Sequence, residues 1–326
     1  MDITKDMTLR EIMALPCFVQ MQGQFVSSSM GDWFKDKYDL TLPQLQEQNP
    51  TWFHGDILYG LNRLKEVASE RAQYVYAVGD GIHLIHLPAK NKKFDSFAIL
   101  MAGGAYGAVC TLGESLPVAA KLNALGMDCF CLNYRTATKS SFLKGLMPQP
   151  MDDLASTWKF IKANEARFGV KAENYIAGGF SAGGHLAAMW GTPHHGARSY
   201  GIPNPKMLML VYPLISMENL HGPGATMIGT GMFGAGFGKK KVQDYAAHRH
   251  VDAGYPSVYL VQAVDDDTVS IQDSYDMESA LKEAGVPHAI ERVASGGHGF
   301  GLGSATPASG WVERELQFTD GERDGI

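Results

Sequence analysis

The chain of 326 residues is 45% hydrophobic and carries 28 basic against 34 acidic residues, a formal charge of −6. That length and apolar content allow one large buried core, and α/β chains of this size are often a single domain. The charge offers no basic stripe for nucleic acid and no acidic tail, which favours a small neutral or modestly charged ligand over a polyanion. No run approaches the roughly 20 apolar residues of a membrane span, and the mixed-charge opening has no apolar stretch of secretory length. The expectation is a soluble, cytoplasmic protein with neither nucleic acid nor membrane as partner.

Residues 1–70 read as a mainly helical extension. Leu9 to Leu15 is a short amphipathic run, and Ile57, Leu58, Leu61, Leu64 and Val67 recur at helical spacing. Trp33, Phe34, Trp52 and Phe53 lie between them. They read as packing anchors, with a wall of a substrate cleft or a subunit contact as the alternatives; any oligomer would use this extension. At residue 73 the period changes to two: strands at 74–78 and 82–87 flank Gly79-Asp80-Gly81, a hairpin signal. His83 and His86 differ in parity and face opposite sides of that strand, which excludes a shared metal. Strands at 97–101, 127–132, 174–178, 207–212, 258–263 and 289–293 then alternate with helices near 116–125, 152–167, 182–190 and 271–283. This α/β alternation predicts a mostly parallel central sheet with helices on both faces, and in such sheets sites gather at the carboxyl ends of strands.

The expected organisation is a domain over 71–320 and a short tail over 321–326. Within the domain, 221–240 reads as a Gly-rich flexible loop. Seven glycines between His221 and Gly238, interleaved with Met227, Met232, Phe233 and Phe237, are too many for a stable helix, so the segment reads either as a plain surface loop or as a mobile wall over an apolar pocket. Of four cysteines, Cys129 and Cys131 stand two apart on one strand and point the same way, for packing and not for bridging each other.

The chemistry centres on Gly179-Phe180-Ser181-Ala182-Gly183. This G-x-S-x-G sits between an apolar strand and a small-residue helix, the setting in which a strained turn lifts a serine hydroxyl above the sheet. A serine needs a base and a group that orients it. His298, in the glycine-rich run 295–301 after the last strand, is the candidate base. The acid is one of Asp265, Asp266 and Asp267, and the residues alone leave open which. The backbone N–H of Ala182 is the first oxyanion donor, and a second is expected from the small-residue loop 102–107 after the 97–101 strand. His248 and His250 have a superficial metal spacing that nothing completes, and His194-His195 reads as a loop pair. Glu114 with Arg135 reads as a buried ion pair bracing the oxyanion loop against the next strand, with contact to substrate as the alternative.

Serine, acid and histidine in that order on alternating strands resemble the α/β-hydrolase superfamily. Gly103-Gly104-Ala105-Tyr106, Pro117-Val118-Ala119, Asn133-Tyr134-Arg135, Gly179 to Ala187 and Gly297-His298-Gly299-Phe300 resemble its bacterial acetylxylan-esterase-like and feruloyl-esterase-like branch, near the hormone-sensitive-lipase group. The resemblance covers roughly residues 90–305. It implies an α/β-hydrolase fold and a cofactor-independent, metal-free serine carboxylic-ester hydrolase acting on short-chain (acetyl) esters of carbohydrates or other small esters, such as an acetylated oligosaccharide. It also implies Ser181 as nucleophile, His298 as base and Asp266 as acid, because the family acid precedes a hydrophobic residue by three and Val269 fixes that register. Gly104, Ala105 and Ala182 become the oxyanion donors, although Ala102 and Ala105 replace residues usual in that loop. Tyr106, Met232 and Phe233 are the candidate pocket residues. A peptidase or amidase with the same triad is the alternative activity, and a ligand-binding hydrolase fold without turnover is the alternative class.

Overall fold

The computed structural model describes residues 2–32 and 34–323, so Trp33 and the end of the expected tail, 324–326, lie outside the described residues. Three helices open the chain: α1 (Leu9–Met13), α2 (Leu42–Gln48) and α3 (His54–Glu70). The sheet is built from β1 (Val75–Gly79), β2 (Ile82–Leu87), β3 (Phe97–Met101), β4 (Asp128–Asn133), β5 (Tyr175–Phe180), β6 (Met207–Val211), β7 (Ser257–Ala263) and β8 (His288–Val293). Its spatial order is β1-β2-β4-β3-β5-β6-β7-β8. The β1–β2 hairpin is antiparallel and β2 joins β4 antiparallel; every later pairing is parallel.

Parallel strands need crossovers, supplied by α4 (Ser115–Leu125), α5 (Gln149–Ala163), α6 (Glu165–Phe168), α7 (Ala182–Trp190), α8 (Gly222–Phe233), α9 (Lys239–Asp244) and α10 (Gln272–Ala284), with α11 (Trp311–Arg323) last. Strand parity divides the core between the two faces. Phe97, Ile99 and Met101 of β3 pack with α5, α7 and α10, whereas Ala98 and Leu100 pack with α3, α4 and α11. Cys129 and Cys131 share the second face and are free thiols. The expected strands match to within two residues at either end. The tail expected from 321 begins inside α11. Among the described residues no helix is long and apolar enough to cross a membrane.

The segment 221–240 departs from expectation: most of it is helical, as α8 and then α9. Tertiary contacts outweigh the poor propensity of its glycines. Met232 is fully buried, and its carbonyl accepts the Met147 N–H at 2.9 Å and the Leu146 N–H at 3.0 Å. At Gly229 the Phe237 ring lies where a Cβ would be, so the glycine admits the aromatic residue that covers the helix.

Candidate active site

The turn after β5 puts Ser181 at φ 52, ψ −117, a conformation that non-glycine residues rarely adopt and that is held here by close packing around it. Gly179 and Gly183 permit it: a Cβ on either would run into backbone carbonyls, of Gly183 and Met101 respectively. The Ser181 N–H is bonded to the Val211 carbonyl at 3.1 Å, and its own carbonyl accepts the Leu214 N–H at 3.0 Å, which ties the elbow to the end of β6.

His298 Nε2 lies 2.8 Å from Ser181 Oγ, and its Nδ1 lies 2.8 Å from Asp266 Oδ2. With Nδ1–H donated to the carboxylate, Nε2 is left as acceptor for the serine hydroxyl, the tautomer a general base needs. The Asp266 side chain is fully buried. Its Oδ1 accepts the N–H groups of Thr268 at 3.0 Å and Val269 at 2.9 Å, so the carboxylate is aimed by the turn that follows it. The neighbours differ. Asp265 Oδ1 accepts the Gly297 N–H at 2.9 Å, and exposed Asp267 accepts the Thr268 hydroxyl at 3.2 Å.

On the other side of Ser181 the loop after β3 runs through Gly104 (φ 129), Ala105 (φ 52) and Tyr106 (φ 58). Consecutive residues at positive φ turn successive N–H groups toward one concavity, a shape suited to an anion. The Gly103 N–H is already given to Glu114 Oε2, at 2.5 Å. Among the described residues those of Gly104 and Ala105 have no partner in the protein, and the Ala182 N–H is one of the open donors in the first turn of α7.

Two placements correct the sequence reading. Arg135 does not pair with Glu114; it binds Asp153, donating Nε–H to Oδ1 at 2.7 Å and its backbone N–H to Oδ2 at 2.7 Å. Glu114 instead accepts the Tyr212 hydroxyl at 3.1 Å, while Tyr212 accepts the Gly301 N–H at 3.0 Å. One buried carboxyl thus links the oxyanion loop to the histidine loop through Tyr212, whose ring also lies 5.0 Å from that of His298. Burial pushes the Glu114 carboxyl up to about 6, with the Gly103 N–H, His298 and Tyr212 acting in the opposite sense.

The candidate pocket residues are the second correction. Tyr106 is 1% exposed and anchors its loop, its hydroxyl 2.7 Å from His185 Nδ1. Met232 is buried, and Phe233 packs on Tyr245 and Phe237. None of the three lines a cavity at Ser181. Two cavities meet at Ala105. A cleft of 610 Å³ contains Ser181, His298, Glu114 and Cys110, and residues 48–52 of the extension form one wall of it. An apolar cavity of 240 Å³ runs from Ala105 and Gly107 to Met30, Phe142, Met227 and Ile228. The cleft-wall alternative for the aromatic residues therefore holds for Trp52. Met227, already noted for its loop, was the available signal for the apolar cavity; Ile228 was passed over. Among the described residues no group of three or more His, Cys, Asp or Glu could hold a metal ion. His248 Nε2 lies 4.0 Å from Glu218, and His250 Nε2 lies 3.2 Å from the Gln243 carbonyl.

Endo-1,4-beta-xylanase B of Butyrivibrio fibrisolvens is 23% identical over 292 residues, covering 87% of this chain and 45% of the relative. An acetylxylan esterase of Xylanibacter ruminicola is 26% identical over 210 residues, covering 62% of this chain and 40% of the relative. The chain thus spans less than half the length of these curated relatives. Among solved structures, an acetyl ester-xyloside bifunctional hydrolase from Caldicellulosiruptor lactoaceticus superposes with a TM-score of 0.62 at 27% identity, over 75% of this chain and 88% of the other. A carboxylesterase from Lactobacillus plantarum shares the fold, with a TM-score of 0.59 at 21% identity over 74% and 92% of the two chains. The architecture is the α/β-hydrolase fold. The BD-FAE family description matches residues 84–281, from β2 to α10, and the chain belongs to the BD-FAE family.

Proposed function

We propose that the chain is a serine carboxylic-ester hydrolase that forms an acyl-enzyme on Ser181. The observation that carries this reading is the unbroken relay from Ser181 Oγ through His298 to buried Asp266, each contact 2.8 Å, beside open N–H donors. Ser181 Oγ adds to the ester carbonyl as its proton passes to His298 Nε2. The negative charge gathers on the carbonyl oxygen, facing the N–H groups of Ala182 and of Gly104 or Ala105. Collapse breaks the bond to the alcohol oxygen, which takes the proton from His298 and leaves. Water, deprotonated by the same nitrogen, then hydrolyses the acyl-enzyme.

The substrate reading is a short acyl ester of a carbohydrate. The named activities of the relatives support it, and so does the division of the site into a small apolar cavity and a larger cleft whose lining mixes apolar surface with polar side chains. Wild-type protein is expected to hydrolyse para-nitrophenyl acetate and to release acetate from acetylated xylo-oligosaccharides. Ser181→Ala, with an unchanged circular dichroism spectrum, should lose both activities by about a million-fold. Retention of more than a few per cent of turnover would overturn the reading.

A further inference from the structure

We infer that residues 48–52 of the N-terminal extension form the leaving-group subsite of the cleft, built for a neutral, polyhydroxylated alcohol. The inference rests on the ester-hydrolase reading above. The alcohol oxygen must come within hydrogen-bond reach of His298 Nε2 to receive its proton. Whatever the alcohol carries beyond that oxygen continues into the space beside the imidazole. Segment 48–52 walls that space. A Cβ on Gly297 would lie 3.0 Å from Thr51 Cγ2, and one on Gly299 would lie 3.4 Å from Thr51 Oγ1 and 3.7 Å from Trp52 Nε1. Both glycines flank the base; a side chain at Gly297 would crowd the wall, and at Gly299 the wall lies at ordinary contact distance.

The wall is rigid. The Trp52 N–H closes a turn onto the Asn49 carbonyl at 2.9 Å, and the Asn49 amide is bonded to the Leu45 carbonyl at 3.1 Å. The indole stacks on Phe34, with centroids 6.0 Å apart and planes at 25°, and it packs against the Gly113 backbone. With its ring covered in this way, Trp52 offers the cleft its Nε1 edge. Among the described residues the Gln48 amide, the Thr51 hydroxyl and the Trp52 indole N–H have no partner in the protein, and all three residues line the cleft. The same cleft is lined by Asp265, Asp267 and Thr268, and by no lysine or arginine. Unpaired donors and acceptors at fixed positions suit hydroxyl groups, which both donate and accept. Asp265 and Asp267 disfavour an anionic alcohol, such as a uronic acid or a phosphorylated sugar, and the ammonium of Lys37, beside the 48–52 wall, is engaged by Asn49 Oδ1 at 3.5 Å. These five residues lie before residue 84, where the BD-FAE match begins, so this wall comes from a part of the chain outside the matched region.

The test compares two acetyl esters that differ in the alcohol: a neutral acetylated xylo-oligosaccharide and para-nitrophenyl acetate. The readout is the ratio of kcat/KM on the sugar ester to kcat/KM on the aryl ester. Gln48→Ala combined with Thr51→Val should lower that ratio about tenfold, chiefly through KM on the sugar ester, as expected for two lost hydrogen bonds. Trp52→Phe, which removes the N–H and keeps a ring, should lower it about threefold. An acetylated uronic acid should be a poorer wild-type substrate than its neutral analogue, and Asp267→Asn should narrow the gap. An unchanged ratio in both variants would overturn the subsite while leaving the hydrolase reading intact. A wild-type protein inactive on both esters would overturn the hydrolase reading and the subsite with it.

Discussion

Asp265, Asp266 and Asp267 stand side by side, and each does something different. Only Asp266 is buried against the imidazole; Asp265 holds the Gly297 N–H, and Asp267 faces the cleft. Asp266→Asn should therefore lower kcat by about ten-thousand-fold, because an amide no longer fixes the tautomer of His298 or stabilises its charged form. Asp265→Asn and Asp267→Asn should cost far less, and equal losses from all three, measured by steady-state kinetics, would contradict the assignment. The sequence alone leaves these three aspartates equivalent, since all sit at one strand end. What separates them is a register: the N–H of Val269 turns back onto Asp266 Oδ1, which the spacing to a hydrophobic residue three positions on anticipates. Ser181 was easier to read, because strand, turn and helix all lie within about ten residues of it.

At the scale of loops and helices, the longest connection in the site runs through Glu114. Its partners Gly103, Tyr212 and, beyond them, Gly301 come from three separate loops. Arg135 was expected to be its partner, as a brace of the oxyanion loop against the next strand, and no local pattern reveals that Asp153 claims that guanidinium. Glu114→Ala should release the oxyanion loop and lower kcat/KM about a hundredfold. The carboxyl also makes stability depend on pH. Its folded-state value, raised by burial to about 6 from an ordinary 4.5, means that the folded protein holds this proton more tightly than the unfolded chain does. The associated stabilisation is fully present below about pH 4.5 and is lost as pH rises through about 6, an effect of roughly 2 kcal/mol. Urea denaturation at pH 5 and pH 8 should show Glu114→Gln gaining on wild type at the higher pH; a constant difference would contradict it. Helix α8 carries a separate expectation. It closes the apolar cavity with Met227 and Ile228, so kcat/KM over a series of aryl esters should peak between acetyl and butyryl and fall by octanoyl. Ile228→Trp should move the peak toward acetyl, and a maximum at decanoyl or longer would contradict the short-acyl reading. The helix was misread because propensity argues from glycine content alone, whereas the burial of Met232 and the fit of Phe237 at Gly229 are tertiary facts.

Across the whole molecule, the sheet was legible from the alternation of period-two and helical segments, and the site followed from where those strands end. The role of the extension was not. It carries no motif, and its contribution depends on contacts with loops far away in sequence. Ser27 pairs with Val109 beside the oxyanion loop, and the Ser28 hydroxyl donates to the Gly107 carbonyl at 2.7 Å. The Asp56 carboxylate accepts the Ser304 N–H at 3.1 Å, just beyond the histidine loop. Its first 70 residues thus brace both loops that face Ser181 while walling the cleft between them. The proposed function converges on one covalent event, the acylation of Ser181. Incubation with a fluorophosphonate probe followed by peptide mass mapping tests it most directly. The expected result is stoichiometric modification of Ser181 with parallel loss of ester hydrolysis, and no labelling of Ser181→Ala or of heat-denatured protein. Full ester hydrolysis by a protein whose Ser181 stays unmodified, or labelling that maps to another residue, would contradict the account.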